Sequence, residues 1–251
     1  MALKIIKKEQ QAFGSFNNGA ILENKPIGFP QDRGITKSYS NLFYWANAWS
    51  DKGGLIDEHP HQWFEILSFV LEGEIEHYDN KFKRWLKLQK GDVQIIRAGN
   101  GITHAEKILP NSRMFQIWFD PNITKTQHQS ASYDDYKNEQ FVSKELDGVK
   151  TTNYTGNGGI LKMDAEGVVI SKIEVKSGNY TINLRENYFT SIYALQSTDL
   201  VLNGNKINPD DFIIIENEKQ LVIDAKSDVE LFVIETPIKL SYVTYKEMAK
   251  F

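Results

Sequence analysis

The chain has 251 residues, 41% of them hydrophobic, which is enough for one large β-domain or two ordinary ones. A net charge of −4, a pI near 5.8 and the lack of a basic stripe argue against direct nucleic-acid binding, which depends on neutralising phosphates. Cysteine is absent, so disulfides, thiolate metal sites and cysteine nucleophiles are excluded.

Met1 to Gln11 alternates apolar residues with Lys4, Lys7, Lys8 and Glu9 and contains no signal-peptide core. No apolar run approaches membrane-spanning length, so a cytoplasmic protein without membrane contact is expected. The pattern that follows is mostly β. Phe64–Leu71, Val93–Ile96, Met114–Phe119, Val168–Val175, Phe212–Ile215, Leu221–Ile223 and Leu231–Ile234 are short runs rich in β-branched and aromatic residues. Gly, Asn and Asp separate them, and Asn203-Gly204 signals a tight hairpin. Short helices are expected near Ser132–Asn138 and Tyr245–Lys250. The polar stretch from Pro121 to Gly159 reads as a connection between two halves, with His128 exposed within it.

Two tripeptides carry the chemistry. His59-Pro60-His61 and His104-Ala105-Glu106 hold three of the five histidines. On a strand, residues i and i+2 share a face, so each tripeptide offers two ligands to one point. Two facing strands then build a four-ligand site. Three imidazoles and a carboxylate suit a divalent iron, nickel, copper, manganese or zinc ion. Residue parity leaves two candidates for the carboxylate, because Glu65 lies at even spacing from His61. If Glu106 is the ligand, Glu65 accepts an imidazole N–H and fixes a tautomer. Gln116 and Trp118 share a strand face that can line the pocket, whereas His77 reads as a solvent-side strand histidine. Gly99 and Gly101 permit a sharp turn that aims His104 inward.

The halves form a weak internal repeat. Aligning Phe69-Val70-Leu71 with Tyr193-Ala194-Leu195 sets His59 against Asn183, His61 against Arg185 and Glu65 against Phe189. Aligning Gly91-Asp92 with Asp210-Asp211 sets His104 against Ile223 and Glu106 against Ala225. The second half is therefore expected to be a scaffold lacking metal ligands.

The segment from His59 to Glu106 resembles the cupin pattern and, within it, the pirin family. The matching residues are His59-Pro60-His61, Phe64-Glu65, Val70-Leu71-Glu72-Gly73, Glu76-His77-Tyr78-Asp79, Gly91-Asp92-Val93-Gln94, Ala98-Gly99-Asn100-Gly101-Ile102 and His104-Ala105-Glu106. The resemblance implies an all-β bicupin, two tandem double-stranded β-helix barrels with a few short helices. It implies a metal-binding barrel over residues 1–130 and a ligand-free barrel over 131–251. It also implies His59, His61, His104 and Glu106 as metal ligands; as a ligand that loosens, Glu106 can serve as catalytic base towards a substrate hydroxyl. Glu65, Trp63 and Gln116 fall around the site or its pocket. Trp63, Ile95-Ile96-Arg97 and the Tyr39–Ser50 stretch depart from the family pattern, and Trp63 and Arg97 would reshape the pocket mouth.

Known members of the family include quercetin 2,3-dioxygenases and a nuclear iron-binding transcriptional coregulator. Two readings follow for this chain. One is a dioxygenase with one divalent ion, expected to be iron, with manganese, nickel, copper or zinc as alternatives. Its substrate would be a quercetin-like polyphenol or another enediol. The other is a non-catalytic iron-binding redox sensor acting through a protein partner. A pocket lined by aromatic residues such as Trp45, Trp49 and Trp63 would favour the enzyme.

Overall fold

A computed structural model describes residues 3–250. The chain begins with β1 (Leu3–Ile6). Then come β2 (Ala12–Phe16), β3 (Ile21–Ile27), β4 (Leu42–Ser50), β5 (Gly54–His61), β6 (Glu65–Glu72) and β7 (Glu74–Asp79). These are followed by β8 (Trp85–Gln89), β9 (Val93–Arg97), β10 (Ile102–Ile108), β11 (Ser112–Phe119) and β12 (Ser132–Tyr136). The later run holds β13 (Ser143–Leu146), β14 (Val149–Thr155), β15 (Val169–Val175), β16 (Gly178–Asn183) and β17 (Tyr188–Gln196). It ends with β18 (Leu200–Leu202), β19 (Asn205–Ile207), β20 (Phe212–Glu216), β21 (Gln220–Ala225) and β22 (Val229–Pro237). The helices are the short α1 (Ile123–Thr126) and α2 (Tyr245–Ala249). Among the described residues no helix is long and apolar enough to cross a membrane.

The chain forms two compact units. One comprises Gln11–Gln140 with the segment from Ser241 onward, and the other comprises Phe141–Leu240 with the segment up to Gln10. Each is a cupin barrel made of one seven-stranded and one four-stranded sheet. In the first unit the sheet orders are β12-β9-β6-β11-β4-β3-β2 and β5-β10-β7-β8. In the second they are β1-β20-β17-β22-β15-β14-β13 and β16-β21-β18-β19. The two topologies correspond strand for strand. A division at residue 130 separates most of these strands but not the chain ends. β1 pairs with β20 just as β12 pairs with β9, so each barrel borrows or supplies an edge strand.

The β runs read from sequence all appear as strands, and Asn203-Gly204 forms the β18–β19 turn with both residues at positive φ. The helix expected near Ser132–Asn138 is instead β12, antiparallel to β9. As an edge strand, β12 packs against only one neighbouring strand, so Asp134 and Asp135 do not prevent it from forming. The polar stretch from Pro121 to Gly159 is likewise not a bare connection, because it contains β12, β13 and β14. All four residues of β13 are exposed, and the charges of Lys144 and Glu145 on this edge strand oppose pairing with another chain.

The helix at Tyr245–Ala249 begins at a capping box. Thr244 Oγ1 accepts from the Glu247 amide, and the Glu247 carboxylate accepts from the Thr244 amide at 2.7 Å. Asp120 fixes this segment to the barrel. Its side chain accepts the Tyr245 N–H, its carbonyl accepts the Tyr242 hydroxyl at 2.6 Å, and Tyr245 packs edge-on against Phe43 and Phe64. Burial pushes the Asp120 carboxyl up to about 7, against the opposing Tyr245 hydrogen bond, and Glu247 adds to the rise. A carboxyl whose folded pKa exceeds its unfolded value stabilises the fold at low pH, and that contribution is lost as pH rises through the folded pKa. The expected outcome for Asp120→Asn is a stability gain over the unmodified chain that grows from about pH 4 to about pH 7 and then levels off. Its slope should be at most about 1.4 kcal/mol per pH unit. Denaturant unfolding across that range measures it.

Candidate metal centre

The inward face of the four-stranded sheet is set by strict alternation. On β10, Ile102, His104, Glu106 and Ile108 are all buried, and on β7 so are Ile75, His77 and Asp79. His59 on β5 stands opposite His104, and His61 stands opposite Ile102. Between His104 and Glu106 the register shifts, so that Asp57 and Glu58 oppose Ala105 alone. This bulge lets His59 face His104 while Ile56 faces Glu106.

The three imidazoles converge. One ring nitrogen from each of His59, His61 and His104 lies within 4.8 Å of the others. His59 Nε2 and His104 Nε2 are 3.0 Å apart. Two nitrogens about 2.1 Å from one ion and at right angles to it stand about 3.0 Å apart, so this spacing suits neighbouring ligands of a first-row metal. His61 Nε2 is buried and has no hydrogen-bond partner among the described residues. A buried lone pair aimed at two others is a poor arrangement for a bare protein and a suitable one for a cation. Burial lowers His61 to about 3, aided by the nearby His59, and holds His104 well below the ordinary imidazole value. Both rings are therefore uncharged at neutral pH, as metal ligation requires.

Outer contacts set the orientations. His59 Nδ1 lies 2.7 Å from the Asp57 carbonyl, to which it donates, leaving Nε2 bare. His104 Nδ1 lies 3.0 Å from His77 Nε2. Trp118 meets His61 edge to face at 4.7 Å. The turn Gln62–Phe64 leads away from His61. In it Trp63 adopts φ +74°, and its N–H bonds the Gly99 carbonyl at 2.9 Å. Gly99 has φ +47°, and a Cβ there would lie 2.3 Å from the Gln129 carbonyl oxygen.

Glu106 is buried beside this group, although it is outside the three-histidine cluster. Gln116 Nε2 donates to its Oε2 at 2.6 Å, and Ser68 Oγ donates to its Oε1 at 3.3 Å. Trp118 Nε1 in turn donates to Gln116 Oε1 at 3.3 Å. Burial raises the Glu106 pKa, while His59, Gln116 and Ser68 oppose that rise.

Several sequence expectations change here. Glu65 is buried but lies three residues from Ser68 on β6, on the other face of the sheet, where Arg97 Nε comes within 3.8 Å of its Oε1. Strand parity did not carry from His61 to Glu65, because the Gln62–Phe64 turn passes the chain from one sheet to the other. His77 is not on the solvent side. It is 1% exposed and shares the inward face with Ile75, a parity that Glu74-Ile75-Glu76-His77 already spells. Trp45 and Trp49 lie on the outer face of β4, and Trp63 packs on Tyr245 at 5.7 Å. The aromatic group near His61 is instead Trp118 with Phe29, Tyr44 and Phe64. His128 is exposed, as expected.

The second barrel has the equivalent strands with different contents. Its registers set Tyr180 opposite Ile223 where His59 stands opposite His104, so Tyr180 and Ile182, not Asn183 and Arg185, match His59 and His61. Six residues (183–188) separate Ile182 from Phe189 where three (62–64) separate His61 from Glu65, and this difference of three accounts for the offset. Ile223, Ala225, Leu200 and Leu202 fill the corresponding interior with apolar core.

The pirin family model matches residues 41–119. A pirin-like protein from Caulobacter vibrioides is 30% identical over 189 residues, covering 70% of this chain and 75% of the relative. The chain belongs to the pirin family. A quercetin 2,3-dioxygenase from Escherichia coli is 26% identical over 185 residues, covering 71% of this chain and 75% of that enzyme. The crystal structure of the bacterial pirin YhhW from Escherichia coli in complex with nickel(II) has a TM-score of 0.76 at 22% identity, covering 94% of this chain and 99% of the other. The stretch that the family model matches contains His59, His61, His104 and Glu106.

The expected outcome of titration with nickel(II) or zinc(II) is one equivalent bound per chain. His59→Ala and His61→Ala should each weaken it by more than the roughly 10- to 100-fold that loss of a ligand-orienting partner costs. His128→Ala should leave it unchanged. Calorimetry or chelator competition provides the measurement.

Proposed function

We propose that this pirin is a metal-dependent dioxygenase acting on a quercetin-like polyphenol or another enediol. One observation carries the reading. The three imidazoles open, through His61, on a cavity of about 580 Å³ lined by Pro60, Gln62, Asn80, Asn100, Gly101, Ile102 and Thr103. That volume suits a small molecule, and its amide and hydroxyl groups suit one rich in oxygen. The aromatic side chains of Trp118, Phe29, Tyr44 and Phe64 stand behind His61 and keep that side of the site dry.

His59, His61 and His104 hold the ion in this proposal, with Glu106 as fourth ligand. Iron is the proposed metal, because imidazoles with a carboxylate and remaining open positions are the donor set of non-haem iron oxygenases. When bound, it supplies Lewis acidity toward a substrate enol oxygen and electron exchange with O₂. Glu106 takes the substrate hydroxyl proton. Its raised pKa suits a base, and Gln116 and Ser68 keep its oxygens in place. Asn80 and Asn100 orient the polyphenol at the mouth. Both oxygen atoms enter the product as the substrate C–C bond breaks. The electrons come from the enediol, so no external reductant is needed.

The expected result is oxygen uptake with flavonols, catechols or smaller enediols by protein loaded with iron, manganese, nickel or copper. Glu106→Gln should keep part of the metal affinity and lose roughly 10²–10⁴-fold in turnover, since an amide can coordinate but cannot take the proton. Failure of every loaded form to consume oxygen would favour the alternative, a sensor that presents its metal state to a protein partner.

A further inference from the structure

His77 matches a family motif, yet neither the ligand set nor the proposed reaction uses it. Its environment is unusual for a residue without a task. The ring is buried, and its Nε2 lies 3.0 Å from His104 Nδ1. Its Nδ1 is buried with no partner among the described residues. Asp79, two residues along on the same inward face, is wholly buried. Asp79 Oδ1 accepts from the Lys81 and Phe82 amides, and its Oδ2 is buried with no partner among the described residues.

The protons of the histidine row can be assigned by elimination. His59 Nδ1 faces the Asp57 carbonyl at 2.7 Å. A carbonyl only accepts, so His59 carries its proton on Nδ1 and presents a bare Nε2. His104 Nε2 faces that atom at 3.0 Å. Two bare lone pairs at this distance repel. Either His104 carries a proton on Nε2, or a cation lies against both nitrogens.

The two cases demand opposite protonation further along. With a proton on His104 Nε2, His104 Nδ1 is bare, and His77 must donate to it from Nε2. With a cation at the Nε2 atoms, uncharged His104 carries its proton on Nδ1, and His77 must accept on Nε2 and carry its own proton on Nδ1. Each ring exchanges one N–H for the other, so the proton count is unchanged. In the second case the His77 N–H sits on Nδ1, the nitrogen that has no hydrogen-bond partner among the described residues. That is the arrangement in which His104 can ligate.

We infer that His77 is the positioning residue of the metal centre, an imidazole that reverses its hydrogen bond to His104 when a cation binds and so fixes the ligating tautomer. This rests on the reading of His59, His61 and His104 as metal ligands. A side chain that merely filled space would not reverse.

The test uses histidine labelled with ¹⁵N in the full chain, compared metal-free and with zinc(II), a diamagnetic probe. Side-chain ¹H–¹⁵N correlations report which nitrogen carries each proton. The expected result is His104 and His77 both protonated on Nε2 in the metal-free protein and both on Nδ1 with zinc. His77→Leu should weaken zinc binding by about 10- to 100-fold. His77→Gln should retain most of the affinity, because its amide can turn to present either oxygen or nitrogen. Unchanged protonation of His104 in the two forms would overturn the inference, as would zinc binding by His77→Leu as tight as in the unmodified chain. If His77→Leu does not fold, the tautomers of the unmodified chain decide. Absence of zinc uptake by the unmodified chain would overturn the metal-centre reading and this one with it, whereas zinc uptake with unmoved tautomers would overturn this one alone.

Discussion

Three imidazoles directing ring nitrogens at one point are the constraint around which the first barrel is organised. Lone pairs brought this close repel one another unless a proton or a cation intervenes. The fold tolerates the arrangement because each ring is held from behind. The Asp57 carbonyl fixes His59, His77 faces the far side of His104, and Trp118 braces His61. The bulge at Asp57 and Glu58 belongs to the same design, because an unbroken ladder would leave His59 out of register with His104.

The second barrel shows what the same topology does without that constraint. Its strands pair in the same order, but Ile223, Ala225, Leu200 and Leu202 turn the corresponding interior into ordinary core. Burying these side chains stabilises the barrel by area alone, at about 25 cal/mol per Å². In the first barrel the same positions carry His104, Glu106, His77 and Asp79, all polar and all buried. Such groups cost stability unless each has a partner, so the polar layer is a feature of function rather than of folding.

The fold and the histidine cluster were legible in the sequence because both follow from a period of two. The β runs alternate, and a pair of residues two apart on a strand has no choice but to share a face. Legibility failed where parity had to cross a turn or a bulge. Glu65 looked aligned with His61, but the Gln62–Phe64 turn moves the chain to the other sheet. His59 and His61 were matched to Asn183 and Arg185 through a turn whose length differs between the barrels. The helix expected at Ser132 failed for another reason, since only pairing with β9 makes that polar segment a strand. His77 and Ser68 were legible in principle from the parity of Ile75 and Ile66, but their hydrogen bonds to His104 and Glu106 required knowing which strands are neighbours.

X-ray absorption at the edge of the bound metal tests the central claim most directly, because it reads the ligands themselves. The account predicts one ion per chain, with scattering from three imidazoles and one carboxylate at about 2.0–2.2 Å. It also predicts that one imidazole contribution disappears in His104→Ala. A bound ion whose spectrum shows fewer than three imidazoles, or is unchanged by His104→Ala, would contradict it.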